Sequence, residues 1–172
     1  SNSYLNDEVY RRRISELEER IKALSNGNGI ADTEAETEGE KLPTSGNEDG
    51  KFIYSLEGGM AIITGYMGNA KSIVIPSTVD GYTVERIADS AFARSDLESI
   101  EVSEGIKYIG WFAFSDCVAL RTVILPKSLQ KADYGIFNGC SASLRVVCHS
   151  DTYAAVYAKS YGFTIEYSDN EK

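Results

Sequence analysis

One pattern of apolar residues recurs three times in the C-terminal two-thirds of the chain, and that recurrence limits the fold more than any other feature. Phe92, Phe114 and Phe137 lie 22 and 23 residues apart. Leu97, Leu120 and Leu144 keep step at 23 and 24 residues, and Ile73, Ile100 and Val123 at 27 and 23. A coil of this length cannot bury its own apolar face, so neighbours must stack on it as a solenoid with one continuous core. Each copy opens on a short strand with inward apolar positions: Ile73 and Ile75, Ile100 and Val102, Val123 and Leu125. Pro76 and Pro126 end two of these strands, since proline cannot donate into a ladder. An inward Val79, Ile106 or Leu129 follows, then Ile87, Ile109 or Ala132, and the coil closes on Ala91-Phe92, Ala113-Phe114 or Ile136-Phe137. The three Phe rings are predicted to form an internal spine, each burying about 150 Å² or more.

The most regular stretch is Ile109-Gly110-Trp111-Phe112-Ala113-Phe114-Ser115-Asp116-Cys117. It resembles the BspA-like class of leucine-rich repeat, whose coils read Leu-x-x-Ile-x-Ile-Pro, then Val, Ile-Gly, Ala-Phe and a small Cys or Asn. The resemblance covers roughly residues 60–148. It implies a mainly β (or α/β) solenoid, a short right-handed stack of coils. It also implies a bacterial protein at the cell surface or secreted, with a non-enzymatic role in protein binding and adhesion. Three departures stand out: Asp80-Gly81-Tyr82-Thr83 lengthens the first coil, Ser103 replaces a proline, and Ala132-Asp133 stands where Ile-Gly is expected.

Both ends of the repeat region carry expectations of their own. Phe52 to Leu56, Gly58-Gly59 and the β-branched run near Ile62 and Ile63 predict a β-hairpin that caps the N-terminal edge. Ser150 or Asp151 can cap a helix over 153–160, Gly162 suits its left-handed stop, and Phe163 to Tyr167 read as a final strand, together a C-terminal helix-strand cap. Three domains follow. Residues 1–25 contain an amphipathic, coiled-coil-like helix over 4–25, with Tyr10, Ile14, Leu17, Ile21 and Leu24 on one seam; it is either a weak self-association segment or a solvated helix. Residues 26–50, with acidic side chains alternating from Asp32 to Glu40, read as a flexible linker. The repeat domain with its caps occupies 51–172.

Charge narrows the partners. A net charge of -9 opposes nucleic acid, which requires clustered cations, and anionic membrane surfaces. Ser1 and Asn2 resemble the residues left by tag cleavage, so a signal or anchor is expected to have been removed upstream. Cys117, Cys140 and Cys148 have no metal-ligand spacing, and no cofactor is implied. Cys117 and Cys140 share one repeat position, which favours small buried thiols between turns over a redox or ligand role.

No catalytic residues are assigned. His149, Ser150 and Asp151 are adjacent, whereas a hydrolase triad converges from separate segments. The glycines near Gly58 and Gly65 lack the Lys-Ser/Thr of a phosphate loop. Candidate binding residues lie on the outward strand positions, where equivalent residues form columns about 4.8 Å apart. They are Lys71, Glu98, Arg121; Ser72, Ser99, Thr122; and Val74, Glu101, Ile124. This face is expected to dock a protein ligand, against the alternative of a solvated charge ladder. Trp111 and Tyr134, which share one turn position, are the candidate platform for a glycan, the rival being packing between coils. A structural or targeting domain of a larger surface enzyme is the third reading.

Overall fold

The computed structural model describes Ser15, Glu19 and residues 51–170. The chain divides into two units, Ser1–Gly39 and Glu40–Lys172. In the first, Ser15 and Glu19 are helical and exposed. The expected seam from Tyr10 to Leu24 and the linker over 26–50 lie outside the described residues.

In the second unit the chain winds between two sheets. One has the strand order β1-β2-β5-β7-β9, built from Phe52–Glu57, Met60–Tyr66, Tyr82–Ile87, Tyr108–Ile109 and Lys131–Ala132. The other runs β3-β6-β8-β10-β11: Ser72–Ile75, Ser99–Val102, Thr122–Ile124, Arg145–Cys148 and Thr164–Tyr167. Pairing is parallel wherever coil meets coil, and antiparallel only where a hairpin closes: β1 with β2, and β4 (Thr78–Val79) with β5. The strand alternation of the sequence is visible directly, since Ile73, Ile75, Ile100, Val102, Val123 and Val146 are buried while Ser72, Val74, Glu101 and Arg145 face outward. Five strands, rather than the three of the most regular copies, make this second sheet, because Arg145–Cys148 and Thr164–Tyr167 continue the ladder.

The Phe spine forms as expected. Phe92 and Phe114 stack at 5.4 Å and 24°, Phe114 and Phe137 at 5.7 Å and 17°. Both ends of the column are closed edge-on, by Phe52 at 70° and by Phe163 at 86°. A perpendicular ring offers no parallel face for further stacking, so the spine is finite. Beside it, the Cys117 thiol donates to the Phe92 carbonyl and the Cys140 thiol to the Phe114 carbonyl, each at 3.1 Å. The repeat position thus uses a small donor to tie one turn to the preceding one.

The departures from regularity have local reasons. Asp80 and Gly81, with φ of 46° and 84°, make the two-residue turn of the β4–β5 hairpin. Asp80 also accepts a 2.7 Å hydrogen bond from the buried Tyr54 hydroxyl, so the lengthened first coil is anchored to the N-terminal hairpin. Ser103 donates its backbone N–H to the Ile75 carbonyl at 3.1 Å, a bond that proline could not make. Gly110 is required by close approach, because a Cβ there would lie 2.6 Å from the Asp89 backbone nitrogen. One expectation is corrected. The helix Tyr153–Ser160 is capped by Thr152, not by Ser150 or Asp151. Asp169 returns to accept from the Ser150 backbone N–H at 2.9 Å and from its hydroxyl, which leaves Thr152 Oγ1 to accept from Ala155 N at 3.3 Å.

Candidate functional site

The sheet-face residues come together in register. Ser72, Ser99, Thr122, Arg145 and Thr164 are successive partners across the five strands, as are Val74, Glu101, Ile124, Val147 and Glu166. Glu98 donates its backbone N–H to the Lys71 carbonyl, and Arg121 to that of Glu98, so the third column is equally continuous. The charges on these columns do not neutralise one another strand by strand. Lys71 Nζ instead donates to the Asp96 carbonyl at 3.3 Å, and the Arg121 guanidinium to the Val118 carbonyl at 3.2 Å. Among the described residues neither Glu98 nor Glu101 makes an ion pair, and both are exposed. Further along, Arg145 and Glu166 do pair, at 2.9 Å. Val74 is 53% exposed and Ile124 half-buried, so unpaired carboxylates and aliphatic side chains share one flat surface.

Trp111 and Tyr134 are neighbours too, but their rings tilt by 53° at 6.3 Å, both are half-buried, and Tyr134 meets Phe112 edge-on at 5.8 Å. Trp111 N donates to Asp89 Oδ1 at 3.0 Å. Nearby, Tyr108 lies under the Arg86 guanidinium at 5.6 Å and donates its hydroxyl to Gln130.

Three further groups have defined surroundings. Burial raises the Tyr54 hydroxyl to about 12, assisted by its hydrogen bond to Asp80. The Cys140 thiol is pushed well above its ordinary range, first by the adjacent Cys117 thiol and then by burial, which keeps it protonated. The carboxyl of Asp169 is held below the usual range by the Ser150 hydroxyl and backbone N–H. His149 contributes its carbonyl to Thr152 Oγ1 at 2.7 Å. Among the described residues no cluster of His, Cys, Asp and Glu could hold a metal ion, and no helix is long and apolar enough to cross a membrane.

The strand-face columns were legible because alternation is a property of sequence. A second feature was not. A pocket of about 590 Å³ opens at the start of the stack, between residues 66–71 and 91–97. The signal that could have found it is a gap: one repeat length ahead of Phe92 stand Asn69 and Ala70, where another aromatic would continue the series.

A family model for the BspA type leucine rich repeat region matches residues 66–163 in six copies. Among solved structures, a leucine-rich repeat protein of T. pallidum is 28% identical with a TM-score of 0.52, covering 58% of this chain and 52% of that one. The chain therefore spans about half the length of that relative. A leucine-rich repeat protein from Bacteroides capillosus is 19% identical with a TM-score of 0.45, over 61% of this chain and 99% of that one. A leucine rich cell surface protein from Faecalibacterium prausnitzii is 21% identical with a TM-score of 0.41, over 70% and 30% of the two chains. No curated protein matches the chain.

Proposed function

The chain belongs to the BspA type leucine-rich repeat family, and from that premise we propose that it is a non-enzymatic cell-surface or secreted protein that binds a protein partner on its five-stranded sheet. The observation that carries this reading is a pair of exposed carboxylates that make no ion pair among the described residues: Glu101, in register between Val74 and Ile124, and Glu98, just ahead of the same strand. Carboxylates on a scaffold this rigid are held at fixed spacing, and a partner with basic and aliphatic side chains at strand spacing complements them. Size sets the mode of binding. Five strands at about 4.8 Å, each about four residues long, present on the order of 250 Å². That is well below the roughly 800 Å² per partner of a stable interface, so contact on this face alone is weak and transient, or gains strength from multivalency.

The test is a binding measurement on the full chain against candidate surface proteins, alongside a glycan array. Replacing Glu98 and Glu101 together by Lys is expected to weaken partner binding at least tenfold without moving the melting temperature. Unchanged binding in that variant overturns the reading. Glycan binding that disappears in Trp111→Ala transfers the function to the Trp111 and Tyr134 platform. The same proposal assigns self-association to residues 4–25; a chain that sediments as a monomer at high concentration removes that part.

A further inference from the structure

The two sheets end differently at the last coil. In one, the outermost strand β9 is closed by a side chain, since the Tyr153 hydroxyl accepts from Ala132 N at 3.1 Å. In the other, β11 (Thr164–Tyr167) pairs with β10 on one side and, among the described residues, with no strand on the other. The chain after β11 turns back, with Asp169 accepting from Ser150, which follows β10. The inward side chains register the gap. Val146 and Cys148 in β10 are 0% and 1% exposed, whereas their partners in β11, Ile165 and Tyr167, are only half-buried.

The register fixes which backbone groups face the open side, because in a parallel ladder the N–H and C=O of one residue point one way and those of the next point the other. Arg145 N donates to Arg121 O and Leu125 N to Val147 O, both at 2.9 Å, so Arg145 and Val147 bond to β8 while Val146 and Cys148 turn to β11. Thr164 and Glu166, in register with Arg145 and Val147, meet those groups. Ile165 N–H, Ile165 C=O and Tyr167 N–H are left on the open side, the Tyr167 carbonyl being where the 3-10 turn Ser168–Asn170 begins. On the outer face, Glu166 is 53% exposed, met by Arg145 at 2.9 Å from the β10 side and by no strand from the other. An added strand sets an outward residue about 4.8 Å from Glu166, where a cation is favoured, the more so in a chain of net charge -9. A second copy meets obstacles. Pairing β11 with another β11 through both Ile165 and Tyr167 opposes Glu166 to Glu166, and bringing in another β3 drives the hairpin strands β1 and β2, which extend beyond β5, against the Tyr153–Ser160 helix.

We propose that the free edge of β11 binds an extended peptide segment of alternating apolar and basic side chains as a further parallel strand. Its backbone donates to the Ile165 carbonyl and accepts from Ile165 N and Tyr167 N, its apolar side chains cover Ile165 and Tyr167, and its Lys or Arg pairs with Glu166. This edge is separate from the face that carries Glu98 and Glu101, and its test is separable. The probe is a synthetic peptide, acetylated and amidated, of sequence Thr-Val-Lys-Val-Thr, titrated into the isotope-labelled full chain and followed by amide chemical shifts. Shifts concentrated at residues 163–168 are expected, with slowed exchange of the Ile165 and Tyr167 amides. A peptide methylated on the Lys backbone nitrogen cannot donate to the Ile165 carbonyl and should bind at least about tenfold more weakly. Gln in place of Lys should cost about threefold, in keeping with a partly exposed ion pair, and Glu166→Gln should erase that preference while the spectrum stays dispersed. The Glu98→Lys, Glu101→Lys variant should bind the peptide as the parent does. Shifts elsewhere, equal affinity for the methylated or the Gln peptide, or no shifts at millimolar peptide would each overturn the proposal. So would shifts at 163–168 that grow with protein concentration alone, the mark of a second copy on the edge.

Discussion

The coil that holds Phe114 and the coil that holds Phe92 are written in nearly the same letters, yet they end in different physical situations. Phe114 is wholly buried between two near-parallel rings, and the carbonyls of Ala113 and Ser115 on either side of it both accept backbone bonds. Phe92 has one parallel neighbour and is closed on its other side by Phe52, edge-on at 6.4 Å, while Ala91 and Ala93 line a pocket and among the described residues their carbonyls accept no backbone bond. In a stack, a motif spends its bonding capacity on its neighbours. A middle coil has none left over, and an end coil keeps whatever its cap does not use.

The strongest way to break this comparison is to remove the rings. Phe114→Ala is expected to cost about 3–5 kcal/mol, the range for a buried aromatic whose cavity cannot collapse. Phe92→Ala should fall at or below the lower end, because the Phe52 side of its cavity is bordered by a hairpin that can shift. Chemical denaturation of the two variants decides it. Equal losses would mean that the end coil is as constrained as the middle one. Gly110→Ala probes the same contrast with a smaller effect, about 1–3 kcal/mol, since its Cβ would press on the Asp89 backbone. The equivalent positions in the flanking coils already carry Ala88 and Asp133, so Ala88→Gly should lack any compensating gain. A Gly110→Ala protein as stable as the parent would show that the Asp89 turn yields freely.

How far the sequence foretold this arrangement differs between the two coils for a physical reason. The Phe period, the inward strand positions and the Gly58-Gly59 hairpin were all legible, because burial and positive φ leave marks in residue type. The helix cap was not, since Ser150, Asp151 and Thr152 are all competent to cap. The choice depends on Asp169, 19 residues away, returning to occupy Ser150. Nor could it be read that the Ala91 and Ala93 carbonyls accept no backbone bond among the described residues, as every residue has a carbonyl and only the neighbour decides whether it is used. The sheet-face columns stand between these cases. The Ser72 and Val74 columns follow from alternation, whereas Lys71, Glu98 and Arg121 stand two residues before the buried Ile73, Ile100 and Val123 and are exposed because they precede the strands; that Lys71 and Arg121 turn to backbone carbonyls is a matter of side-chain geometry.

A smaller effect sharpens the role of the cap over the first coil. Tyr54 donates to Asp80, and Tyr54→Phe should cost about 1 kcal/mol near neutral pH by leaving that carboxylate without its donor. The pH dependence has a definite sign. Folding raises the Tyr54 hydroxyl from its ordinary value near 10 to about 12, so the folded state favours the protonated form. Its contribution is complete below about pH 10 and is lost as pH rises toward 12. Parent stability should therefore fall more steeply over that window than that of Tyr54→Phe. Parallel curves would place the alkaline loss elsewhere in the fold.

The smallest effect expected is on the outer face, where the interior's logic does not apply. Glu98 is exposed and without an ion pair among the described residues, so Glu98→Gln removes a charge that stabilises nothing within the coil and should change stability by less than about 0.5 kcal/mol. If the melting temperature drops clearly, the carboxylate belongs to the fold, through Lys71 or Arg121 after all, and the face is a solvated charge ladder. If stability holds while partner affinity falls, the residue is kept for what lies outside the molecule. The same substitution thus asks of one strand what the two coils show together: the inward side chains of each turn serve the stack, and only groups the stack leaves unsatisfied are available to a partner.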